Sequence, residues 1–176
     1  MRCYEGILKL TPGDAKTAEA LRRAKGRIDD TAARARKSME DGRIAAAVDA
    51  YEALVKYTPT DAQAVKGLQD ARAKAVSETV RLIEKARDAI ASGEVSGAAV
   101  SVARALEISP HNEEALALRS KVASKTKDLV QRYVKEGNSY IDSGQLDKAS
   151  DVFRAALLLD PDNQEALKGM DRPRLL

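Results

Sequence analysis

Apolar and small residues recur along the chain at steps of three and four, and only short Gly- or Pro-centred points interrupt them. Leu146, Ala149, Val152, Phe153, Ala156 and Leu157 show the spacing that gathers side chains on one face of an α-helix. Comparable segments at 44–57, 95–108 and 146–159 predict three short helices. Each follows Asp41-Gly42, Ser92-Gly93 or Ser143-Gly144, where glycine can take the left-handed conformation that closes the preceding helix. Each ends before Pro59, Pro110 or Pro161, and proline pushes the residue ahead of it out of helical geometry. Asp14, Asp61, Asn112 and Asn163 lie two residues beyond a proline, placed to cap the next helix by accepting from a free backbone N–H. No strand alternation occurs, so the fold class is all-α.

The punctuation repeats. Gly42, Gly93 and Gly144 are 51 residues apart, as are Pro59, Pro110 and Pro161. Ala47, Ala98 and Ala149 keep the same register, followed by Tyr51, Val102 and Phe153, while Ala35, Ala86 and Gly137 precede each glycine. Self-similarity at a fixed period marks a stacked repeat architecture. Tyr4 to Pro12 matches Tyr51 to Pro59 nearly residue for residue, so Met1 falls inside a helix of an incomplete repeat and the chain reads as a piece of something longer. No breaker separates 61–91 or 112–142, so each is expected as one helix of about 31 residues, roughly 46 Å long. The first, 14–40, is shorter by about one turn. The resulting organisation is one array over 1–176: a partial repeat at 1–12, hairpins at 28–59, 79–110 and 130–161, linking segments at 14–27, 61–78 and 112–129, and a capping helix at 163–170. Successive hairpins then advance by roughly 25 Å along an elongated, staggered array. A break near Ser77 and Asp128 would restore a compact solenoid.

Composition narrows the function. The 176 residues are 44% hydrophobic but 3% aromatic, so the core must be thin and rich in small side chains. Thirty basic and 27 acidic residues are interspersed, which argues against a nucleic-acid surface. The single Cys and single His exclude a disulfide framework and any two-His site, and no phosphate loop, nucleophile motif or metal-spaced carboxylate set occurs. No cofactor, metal or catalytic residue is expected, and the chain is read as no enzyme. No apolar run reaches the roughly 18 residues of a membrane span and no leader opens the chain, leaving the cytoplasm as the default compartment.

These residues resemble the tetratricopeptide repeat family. Tyr133, Gly137, Tyr140, Gly144, Ala149, Phe153, Ala156 and Pro161 lie at that family's spacing. The hairpin at 79–110 keeps Leu82, Ala86, Gly93, Ala98, Ala105 and Pro110; the one at 28–59 keeps Ala35, Gly42, Ala47, Tyr51 and Pro59 but has Thr31 and Ser38 at large-residue positions. The departure is the period, since family repeats run about 34 residues. The resemblance implies a protein or peptide partner, a bacterial origin, and a binding face on the first helix of each hairpin. Its residues are Ala32, Arg36 and Met39, then Ile83, Arg87 and Ile90, then Val134, Asn138 and Ile141. Apolar anchors would supply affinity there and Arg could hold a carboxylate. A clamp for a peptide C-terminus lacks its Lys, because Ala32, Ile83 and Val134 stand at the matching positions.

The plain structural readings differ. The apolar stripe can pack against the linking segments, leaving little groove. His111 reads as an exposed loop residue and Cys3 as apolar filling. The basic bias of Arg22, Arg23, Lys25, Arg27, Arg34, Arg36 and Lys37 reads as a solvated helix face without aromatics for base stacking. The leading function is a non-catalytic interaction scaffold. The alternatives are a structural spacer or self-association module without a groove ligand, and an accessory domain of a larger enzyme or envelope assembly. Exposure of Met39, Ile83, Ile90, Val134 and Ile141 separates scaffold from spacer. Unfinished repeat ends allow weak homo-oligomerisation.

Overall fold

In a computed structural model, the described residues, 2–171 with side chains from Glu5 onward, form helices joined by short turns. The expectation for Cys3 concerns a side chain that lies outside the described residues. The helices are α1 (Arg2–Leu10), α2 (Ala15–Glu40), α3 (Ile44–Tyr57), α4 (Ala62–Ser92), α5 (Val95–Ile108), α6 (Glu113–Asp142), α7 (Leu146–Leu159) and α8 (Gln164–Asp171). α4 and α6 run unbroken through Ser77 and Asp128.

Local chemistry sets the helix ends. Gly42, Gly93 and Gly144 have φ of 71°, 84° and 74°. Past each, the next N–H reaches back five residues: Arg43 to the Ser38 carbonyl at 2.9 Å, Glu94 to Ala89 at 2.8 Å and Gln145 to Tyr140 at 2.9 Å. This arrangement satisfies a terminal carbonyl, and a Cβ at the glycine would strain it. All four Asx residues cap as the spacing predicts. Asp14 accepts from the N–H of Lys16 and Thr17, Asp61 from Gln63 and Ala64, Asn112 from Ala115 and Asn163 from Ala166. The Thr17 hydroxyl also donates to Asp14 at 2.6 Å. That bond above all, with the Thr17 and Lys16 N–H groups behind it, holds the Asp14 carboxyl below its ordinary range.

The chain divides into two compact units, one running to Val80 with Glu107–Pro110 added, the other comprising Arg81–Leu106 and the residues from His111 onward. In the first, α2 packs on α1 and α3. Tyr51 of α3 lies against Gly67 of α4, and Glu52 pairs with Arg72 at 2.7 Å. Thr31, Ala35 and Ser38 of α2 meet Ile44, Ala47, Ala50 and Leu54 of α3 as the buried residues of this hairpin. Polar Thr31 is accommodated because its hydroxyl donates to the Arg27 carbonyl at 2.7 Å. In the second unit, α7 packs on α6 and α8 around Val130, Val134, Ala149, Phe153, Ala156 and Ala166.

Aromatic residues are seated by glycine. A Cβ on Gly137 would lie 2.7 Å from the Phe153 ring and one on Gly169 only 2.4 Å from it; on Gly67 it would lie 2.3 Å from Tyr51. Gly67 and Gly169 lie at the same offset after Pro59 and Pro161, as Leu118 does after Pro110. The rings the two glycines receive are Tyr51 and Phe153, and Val102 stands at the corresponding offset before Pro110. Where a large ring stands at one position glycine stands at the other, and the smaller Val102 is accompanied by Leu118.

Candidate partner-binding face

Three helices carry the face expected from the sequence. On α2, Arg36 is exposed while Ala32 and Met39 are half-buried. On α4, Arg87 is exposed but Ile83 and Ile90 keep only 4% and 8% of their surface. On α6, Val134 keeps 4%, and Asn138 and Ile141 are half-buried. The structure therefore leaves the two arginines exposed and covers Ile83, Ile90 and Val134, while Ala32, Met39, Asn138 and Ile141 stay partly accessible. Val134 belongs to the core around Phe153, and Ile141 packs against that core. Neither arginine is idle: Arg36 Nε donates to the Ala32 carbonyl at 3.3 Å, and the Arg87 guanidinium pairs with Glu114 at the start of α6. Both members of the Arg87 pair are largely exposed, so exchange with a partner's carboxylate costs little.

The hairpin formed by the second half of α6 and α7 joins tyrosine, glycine and phenylalanine in one packing unit: Tyr133 and Tyr140 flank the Phe153 core and Gly137 meets the ring. Residues 130–163 match the family model of the tetratricopeptide repeat. No curated protein matches the chain. The match ends on the Asn163 cap of α8, so this tetratricopeptide-like hairpin spans α6 from Val130 through all of α7. It is the hairpin in which the sequence keeps both aromatic and glycine positions.

Concavities also lie away from this face. A furrow of about 730 Å³ runs along α2 and is lined by Lys16, Glu19, Arg23, Arg27 and Asp30 around Ala20 and Gly26. Its charges alternate, and Arg23 pairs with Glu19 at 2.5 Å, which fits a solvated helix face. A second, in the C-terminal unit, has a volume of about 460 Å³ between the first turn of α5, the middle of α6 and the end of α7. Leu129, Tyr133, Ala155, Leu158 and Leu159 line it, and Leu158 is 81% exposed. Sequence reasoning passed over this groove, because the run Leu157-Leu158-Leu159 reads as core on any helical face. The available signal was a comparison of hairpins, since Glu107 and Lys56 stand where Leu158 does.

His111 is exposed, and among the described residues no group of three or more His, Cys, Asp or Glu gathers as around a metal ion. No helix among the described residues is long and apolar enough to cross a membrane.

Proposed function

We propose that this chain is a non-catalytic protein–protein interaction scaffold, a segment of a larger protein. In this reading Arg36, Arg87 and Asn138, with Ala32, Met39 and Ile141 beside them, receive the partner, while Ile83, Ile90 and Val134 hold the helices that display them. The supporting observation is the tetratricopeptide-like hairpin at 130–163, a module whose relatives generally bind proteins and perform no chemistry. Exposed guanidinium groups on two successive long helices suit a partner bearing carboxylates. The spacer reading draws on a different observation, the burial of Ile83, Ile90 and Val134, which removes three apolar anchors from the face.

An affinity capture separates the two. Immobilised wild type and the variant Arg36→Ala/Arg87→Ala/Asn138→Ala are exposed to extract of the source cells and the bound proteins identified by mass spectrometry. Selective loss of a bound protein by a variant with unchanged circular dichroism supports the scaffold. Undiminished recovery of every bound protein moves the function to the spacer.

A further inference from the structure

The open groove of the C-terminal unit is apolar for no reason internal to the hairpin. Leu158, Leu129 and Ala155 line it. The corresponding residues of the preceding hairpin are Glu107, Glu78 and Arg104, and those of the first are Lys56, Arg27 and Ala53. The chain therefore folds with charge where Leu158 and Leu129 stand, and the core does not need leucine there. An 81% exposed leucine at the lip of a concave surface costs solubility without stabilising the fold. Tyr133 and Leu159 complete the floor; both pack on the Phe153 core beneath and so present a fixed surface. The lining has a single charged residue, Glu94, exposed at the start of α5.

We infer that this groove binds a short peptide segment of a partner protein, one that inserts a large aliphatic or aromatic side chain against Leu158, Leu129 and Tyr133 and sets a Lys or Arg beside Glu94. The apolar lining selects the anchor by removal of its surface from water. The carboxylate at the lip fixes the sign of the flanking charge and rejects acidic neighbours, since like charges brought together at an interface are penalised. The inference rests on the scaffold reading but uses a surface separate from the face of Arg36, Arg87 and Asn138. It gives the partner a second, apolar-basic point of attachment.

The test is selection from a display library of random 12-residue peptides on immobilised protein, followed by fluorescence polarisation with the enriched peptide. Wild type should enrich sequences with one Leu, Ile, Met or Phe close to a Lys or Arg. Leu158→Glu, a change at an exposed position that leaves the fold intact, should weaken the enriched peptide by roughly tenfold or more. Glu94→Lys should weaken it too and strengthen the version in which its Lys or Arg is replaced by Glu. Arg36→Ala/Arg87→Ala should bind it as wild type does. No enrichment above background, or binding indifferent to Leu158→Glu, overturns the inference. Concentration-dependent dimerisation in sedimentation, abolished by Leu158→Glu, also overturns it and assigns the groove to a second copy. Enriched peptides that respond to Arg36→Ala/Arg87→Ala and not to Leu158→Glu retain the scaffold and refute the groove.

Discussion

Replacing Gly169 by alanine should destabilise the protein, although alanine is the better helix former. The added Cβ would stand 2.4 Å from Phe153 Cζ, 2.5 Å from Cε1 and 2.6 Å from Cε2, inside any tolerable separation. The ring is fully buried, and Gly137 approaches the same edge with a prospective Cβ at 2.7 Å, so retreat is obstructed. Overpacking of this kind costs about 1–3 kcal/mol, while exchanging Gly for Ala in a helix returns about 0.5–1 kcal/mol. The expected net is a loss of up to about 2.5 kcal/mol. Gly26→Ala supplies the control: Gly26 sits within α2 with nothing inside 4 Å of its prospective Cβ, so it should gain about 0.5–1 kcal/mol. Phe153→Val removes the obstruction in the manner of Val102, so Gly169→Ala should cost little in that background. Urea unfolding followed at 222 nm would give the free energies, with the Gly169→Ala/Phe153→Val cycle isolating the coupling. Stabilisation by Gly169→Ala, or additivity of the two changes within about 0.5 kcal/mol, would refute the account of aromatic seating.

Other consequences are equally open to measurement. Gly93→Ala and Gly144→Ala place a Cβ on residues with φ of 84° and 74°, so each should lose about 1–2 kcal/mol, and Asn at the same sites should lose less. Ser109→Ala leaves the hydroxyl of Thr79, 3% exposed, without its 3.0 Å partner and should cost about 1–3 kcal/mol; adding Thr79→Val should recover much of that. The Asp14 carboxyl titrates below its ordinary range when folded, so its contribution is present above the unfolded pKa and is lost as pH falls through the folded one. NMR titration of Asp14 should show that depression, and Thr17→Val should reduce it by removing the hydroxyl donor; an unchanged titration would exclude Thr17 as the main cause.

Much of the local architecture was legible because it depends on near neighbours. Glycine, proline and Asx act within one helical turn, and Gly42, Gly93 and Gly144 terminate helices as their positions predict. Asp14, Asp61, Asn112 and Asn163 cap the next helices for the same reason. The small residues at 35, 86 and 137 and at 47, 98 and 149 could likewise be placed at helix crossings from their recurrence, and all six are buried. The roles of Gly67 and Gly169 were less accessible, since each looks like an ordinary glycine in a helix until Tyr51 or Phe153 is brought against it from another one.

Which faces remain open was a different kind of question. Periodicity put Ile83, Ile90, Val134 and Ile141 on one stripe, but a stripe facing a partner and a stripe facing a neighbouring helix have the same period. Tertiary packing covered the first three and left Leu158 in water, though the sequence presents Leu158 between two other leucines. By itself the sequence determined where the helices begin and end, because turn and cap energetics are set by residues a few positions apart. Only the tertiary structure decided which apolar side chains form core and which form a groove, because burial depends on what a distant helix brings alongside.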